Sequence, residues 1–138
     1  MWTETKNNSL LPRRATEFSA GYDFFFPDED LHCKPGEEYE VNTTIHLDGW
    51  DLGEGDCLIL LPKSGLGFKY GFQFVNTIGL VDSDYRDAIR CKFTVRHPLD
   101  LVKGQKFMQG IIVHYKTFPE EKAPVAVRKG GFGSTGMF

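Results

Sequence analysis

The sequence predicts an all-β domain, a sandwich or a barrel, and three observations carry that expectation. Residues 88 to 97, AIRCKFTVRH, alternate cleanly: Ile89, Cys91, Phe93 and Val95 fall on one face and Arg90, Lys92, Thr94 and Arg96 on the other. That is the pattern of a strand with one buried side. Further short segments rich in β-branched and aromatic residues are set off by glycine-containing turns, the rhythm of strands joined by tight connections. No window sustains the i, i+3, i+4, i+7 apolar spacing of an ordinary helix.

In chain order, the turn KPGEE leads into YEVNTTIHL at 39 to 47, read as one strand. GEGD precedes CLILLP at 57 to 62, a second strand that stops at Pro62. Ser64 and Gly65 in PKSGLG, taken by themselves, make a hairpin tip. The alternating segment 88 to 97 is the third strand, and LVKGQ introduces a fourth, FMQGIIVHY at 107 to 115. The terminal KGGFGSTGMF carries four glycines, too many for a helix or a central strand. Phe132 in that stretch is either incidental to a frayed end or part of a flap that closes on a ligand.

With 138 residues, 41% of them hydrophobic, the chain suits one domain with a real core. A net charge of -3 and a pI near 5.8 argue against a surface that coats nucleic acid, while leaving room for a local cluster of cations around a small anion. Cys33, Cys57 and Cys91 are odd in number and widely spaced, and MWTETKNNSLLPRR lacks the apolar run of a signal peptide, so a reducing, cytoplasmic setting is expected. No stretch approaches the roughly 18 apolar residues of a membrane span, and no membrane partner is expected.

Elimination narrows the chemistry. The four histidines and three cysteines show neither Cys-x-x-Cys nor paired-His spacing, which disfavours a zinc site and a zinc deaminase. No Gly-x-Ser-x-Gly elbow occurs, and GGFGSTG lacks the lysine of a phosphate-binding Walker loop. What remains are glycine-punctuated segments that join a polar residue to a turn. Each has an ordinary explanation: Asp23 and the Asp82–Asp84 run as turn residues, Gln109 as a partner for a buried backbone group, Asn76 as a turn residue, Tyr85 as a core ring with its hydroxyl at the surface.

Their order is more informative than any one of them. AGYD, LPKSGLG, NTIGLVDSDYR, GQKFMQG and RKGGFGSTG resemble, in this sequence, the five motifs of the homotrimeric deoxyuridine triphosphatases (dUTPases), and the resemblance spans nearly the whole chain. It implies a distorted β-barrel or jelly-roll over residues 1 to 127 with a flexible C-terminal lid over 128 to 138. It also implies Mg²⁺-assisted hydrolysis of dUTP to dUMP and pyrophosphate, which keeps uracil out of DNA and supplies dUMP.

Residue by residue, the resemblance implies that Asp82 is the general base for the water that attacks the α-phosphorus, a task suited to a carboxylate. Asn76 and the backbone around Leu80 and Val81 would read uracil from a hairpin, Gly79 and Arg90 would also bind substrate, and Tyr85 would lie under the deoxyribose and exclude a 2′-hydroxyl. Lys63, Ser64, Gly65 and Gln109 would hold the triphosphate, and Asp23 would reach Mg²⁺ through water. In the lid, Arg128 would meet the γ-phosphate, Gly133, Ser134 and Thr135 would add donors, and Phe132 would stack on the base. Each active site of the homotrimer would combine motifs from three chains.

Three positions depart from the family pattern: Lys63 and Lys106 stand where arginine is usual, and Asp87 where glycine is usual. Two other readings are weighed beside the resemblance, a dCTP deaminase of the same superfamily and a non-catalytic nucleotide-sensing regulatory module. Asp82 and the GFGSTG tail favour the hydrolase.

Overall fold

The computed structural model describes residues 2–4, 10–48 and 52–119; the expected lid, with Arg128, Phe132, Gly133, Ser134 and Thr135, lies outside them. Eleven strands and one short helix are described: β1 Trp2–Glu4, β2 Tyr22–Phe25, β3 Leu31–Cys33, β4 Tyr39–Asn42, β5 Ile45–Leu47, β6 Asp56–Pro62, α1 Ser64–Tyr70, β7 Gln73–Phe74, β8 Gly79–Asp82, β9 Arg90–Thr94, β10 Leu99–Leu101 and β11 Lys106–His114. A four-stranded sheet in the order β2-β11-β6-β8 faces a three-stranded sheet β4-β9-β7, with two ribbons, β1-β5 and β10-β3. Every pairing is antiparallel, and the sheets do not close into a continuous barrel. The all-β expectation holds in the form of a distorted jelly-roll.

The alternation of residues 88 to 97 turns directly into burial. Ile89, Cys91, Phe93 and Val95 are buried, whereas Lys92 and Arg96 are exposed. The two sheets enclose a phenylalanine-rich core in which Phe24, Phe26, Phe93 and Phe107 are all but fully covered. Phe93 stacks on Phe72 at 4.3 Å between ring centres, and Phe26 meets Phe107 edge to face, both favourable aromatic geometries. Gly110 of β11 belongs to this packing, because a Cβ there would stand 2.9 Å from Leu58 Cδ1 and 3.2 Å from Phe24.

Two expectations are corrected. The segment 39 to 47 is two strands, broken at Thr43 and Thr44. Thr44 takes a left-handed backbone (φ 60°), its N–H donates to Asn42 Oδ1 at 2.8 Å, and the Thr43 hydroxyl donates to the Ile89 carbonyl at 2.6 Å. These side chains satisfy the backbone that the ladder abandons. Ser64 and Gly65, expected at a hairpin tip, instead open α1. The helix has no amphipathic repeat to announce it; Leu66 anchors it in the core, and Gly71 (φ 65°) closes it by donating to Gly67 O at 3.0 Å. A Cβ at Gly71 would also collide with Arg96, 2.8 Å away.

The β3-β10 ribbon carries an exposed pair, His32 Nδ1 and Asp100 Oδ1, 2.6 Å apart. The hydrogen bond that the His32 ring donates to Asp100, and then the charge of Asp100, raise the His32 pKa above its ordinary value. Because the folded state favours the protonated ring, the pair's contribution is present at acidic pH and is lost as pH rises through that raised pKa. NMR titration of His32 is expected to show an elevated midpoint that falls towards 6.5 in Asp100→Asn, with 6.5 as the reference for an unperturbed imidazole. The same midpoint in both proteins would refute the pairing.

Candidate active site

The hairpin β7-β8 straddles the two sheets: β7 pairs with β9, while β8 pairs with β6. Where its arms part, a cleft of about 560 Å³ opens, with Leu60, Phe74 and Cys91 as apolar walls and Glu40, Asn76, Arg90 and Lys92 among its polar lining. This volume falls in the range of small-molecule sites. Gly79 faces Leu60 in the β6-β8 ladder, and a Cβ on it would press to 3.1 Å from that side chain. Burial pushes the Cys91 thiol up to about 12, with a smaller push from Glu40, so it serves here as an inert wall.

The hairpin tip is strained. Thr77, beside Asn76, holds a left-handed φ of 71°, an unfavourable conformation for a β-branched residue. Its N–H donates to Phe74 O at 3.1 Å, and the Ile78 N–H donates to Asn76 O at 2.8 Å, which fixes the backbone on either side of Asn76. Strain of this kind concentrates at binding sites. Asp87, by contrast, adopts no left-handed backbone, so the glycine usual at that position is not needed for this turn.

Asn76, Gly79 and Arg90 thus share one cleft, and Leu80 and Val81 continue the same strand with Leu80 outward and Val81 in the core. Tyr85 does not border the cleft within this chain. Its ring is buried and its hydroxyl donates to Ala88 O at 2.7 Å, which closes the turn after β8. Asp82, exposed at the end of β8, sits opposite Cys57 in the ladder and accepts the Tyr85 N–H on its carbonyl at 3.1 Å.

A second cluster forms at the other corner of the four-stranded sheet. Asp23 lies opposite Gln109, and Gln109 lies opposite Leu61. Asp23 is 2% exposed, and its two oxygens are taken by cations: Lys63 Nζ at 2.6 Å from Oδ1 and Lys106 Nζ at 3.3 Å from Oδ2. Burial alone would raise this carboxyl, but the hydrogen bonds and charges of Lys63 and Lys106 together outweigh it and hold the pKa below its ordinary value. Gly21 explains the glycine of AGYD, since a Cβ there would stand 2.6 Å from Gln109 Oε1. Gly65 has a different reason: it is neither left-handed nor crowded, and a Cβ would meet nothing within 4 Å.

The two clusters are far apart. From the Asp23–Gln109–Leu61 row to the Cys57–Asp82 row is four residues along β6, about 13 Å, and from β2 to β8 is three strand spacings, about 14 Å, so Asp82 and Asp23 lie about 19 Å apart. Sequence reasoning missed the lining residues Glu40, Leu60, Phe74, Val75, Cys91 and Lys92. The alternation of 88 to 97 did place Lys92 beside Arg90 on the polar face, and Glu40 lies opposite Lys92 in the β4-β9 ladder.

The sequence profile of the dUTPase family matches residues 7–136. The chain belongs to the dUTPase family. The deoxyuridine 5'-triphosphate nucleotidohydrolase of Neisseria meningitidis serogroup C is 34% identical over 135 residues, covering 92% of this chain and 88% of that protein. The enzyme of the same name from Methylococcus capsulatus is 34% identical over 139 residues, covering 94% and 89%. Among solved structures, the dUTPase of Streptococcus mutans superposes with a TM-score of 0.72 at 23% identity, covering 85% of this chain and 97% of its own; it shares the fold of this dUTPase-family chain.

Proposed function

We propose that the chain is a dUTP diphosphatase that hydrolyses dUTP to dUMP and pyrophosphate, as the names of its relatives describe for those proteins. The observation that carries this reading is the cleft between the diverging arms of β7-β8, bordered by the motif positions Asn76 and Gly79 and by Arg90 and sized for a small ligand. In it, Asn76 and the hairpin backbone pair with the uracil edge, and discrimination against an added methyl group belongs to the same proposal. Lys63, Ser64, Gly65 and Gln109 hold the phosphates; the open surface at Gly65 supports close approach of an anion to its backbone. Asp82 takes the proton of the attacking water.

A general base acts within hydrogen-bond reach of the reacting atoms or through one water. The separation of about 19 Å between Asp82 and Asp23 therefore supports a site assembled from the hairpin of one subunit and the phosphate cluster of another. The outer face of the sheet, where Ile59, Leu61, Ile111 and Val113 are half-buried and Leu80 is 64% exposed, supports such an assembly. The family's threefold ring is the arrangement we propose, with residues 128 to 138 as the lid and Tyr85 at the sugar. The three buried, unpaired cysteines support a reducing, cytoplasmic setting.

Mg²⁺ belongs to the same proposal, and a dUTPase of phage phi11 of S. aureus is described as coordinating a structural Mg(II) ion. Among the described residues no group of three or more His, Cys, Asp or Glu comes together, and Asp23 is a lone buried carboxylate. This donor set fits an ion held mainly by phosphate oxygens and water, with Asp23 contacting its water shell. When bound, the ion neutralises phosphate charge.

Incubation with dUTP, dCTP, dTTP and UTP, with assays for pyrophosphate and ammonia, tests the reading. Pyrophosphate is expected from dUTP alone, with no ammonia. Ammonia from dCTP would point to the deaminase, and silence on all four to a non-catalytic module.

A further inference from the structure

Lys106 has so far been given a partner, Asp23, and no role towards the substrate. It is a surface lysine on β11 with its ammonium turned onto a buried carboxylate, and that carboxylate is the one expected to serve the metal. With Lys63 on the other oxygen, the cluster carries two positive charges against one negative. A dication approaching it meets a net repulsion and finds both Asp23 oxygens already engaged. A triphosphate meets the opposite field, attractive and rich in donors. Both lysine side chains keep a solvent-exposed portion, 31% and 44%, and each ends in a compact charge on a flexible stem that can change partner without disturbing the strand.

We propose that Lys106 is a further phosphate-binding residue that, in the ligand-free protein, masks Asp23 together with Lys63, and that the entering triphosphate draws the lysines onto its own oxygens and frees Asp23 for the metal's water shell. Nucleotide and metal binding are then positively coupled, since each depends on the same release of Asp23. Arginine, usual at both positions, would grip Asp23 with a planar fork; lysine makes the exchange easier. The proposal rests on the dUTP reading.

Calorimetry on the full-length protein tests it, with dUMP and the imido analogue dUpNHpp as probes, each in EDTA and in Mg²⁺. Lys106→Met is expected to bind dUpNHpp about tenfold more weakly, within the usual range of coupling and charge-assisted contacts, and dUMP within about twofold of wild type. Lys106→Gln, which keeps a donor for Asp23 but no charge, is expected to show the same split, and Lys106→Arg to restore most of the loss. Asp23→Asn should bind dUpNHpp about fivefold more tightly in EDTA, because its lysines are already released, and should lose the gain from Mg²⁺. Equal loss of both ligands in the Lys106 variants, or no loss of either, overturns the proposal, as does weaker EDTA binding by Asp23→Asn. Failure of the wild type itself to bind dUpNHpp removes the dUTP reading and this proposal with it, whereas tight wild-type binding with an unresponsive Lys106 removes only the latter.

Discussion

Asp82→Asn is expected to lower pyrophosphate release from dUTP by about a thousandfold while leaving dUpNHpp binding close to wild type, the signature of a lost general base. Asp82 ends β8 with its side chain exposed, its ladder partner is Cys57, and the turn beyond it is held by the Tyr85 N–H on the Asp82 carbonyl and by the Tyr85 hydroxyl on Ala88. Asparagine has nearly the same size, so the hairpin and the cleft bordered by Asn76, Gly79 and Arg90 should persist. Single-turnover measurement reads the chemical step and calorimetry reads binding. Turnover near the wild-type rate would end the assignment of Asp82 as base; lost turnover together with lost analogue binding would mean that the residue holds the hairpin instead.

What could be read from the sequence follows from the range of the interactions involved. The alternation of AIRCKFTVRH is a local consequence of the strand's two-residue period, and Ile89, Cys91, Phe93 and Val95 are all buried as it requires. The helix α1 was invisible because seven residues with two glycines carry no period, and its stability comes from Leu66 in the core and from Gly71 at its end. The break at Thr43 and Thr44 depends on a hydrogen bond to Ile89, 46 residues away, so no local pattern could announce it. The same holds for the site. Motif order picked out Asn76, Gly79, Lys63, Gln109 and Asp23, yet their division into two clusters comes from strand order, and the capture of Asp23 by two lysines comes from β6 and β11 meeting β2 at one corner.

That division leads to the second large effect. Two inactive proteins are prepared: Asp82→Asn, whose phosphate cluster is intact, and a double variant, Lys63→Met with Gln109→Ala, whose hairpin and Asp82 are intact. Each alone offers every site one defective half. If the hairpin of a site and its phosphate cluster come from different chains, as we propose from their separation of about 19 Å within one chain, then a mixed assembly contains some sites with both halves intact. In a closed ring with one repeating heterologous interface, random equimolar exchange should restore about one quarter of wild-type activity, the product of two even chances. The measurement is dUTP turnover after mild denaturation and renaturation of the mixture, with exchange verified by mass-tagged subunits. Activity should rise from the background of either parent and follow the product of the two mole fractions, greatest at equal amounts. A mixture that stays silent after verified exchange would mean that one chain supplies both halves, and the hairpin would then have to swing across its own sheet to reach Asp23.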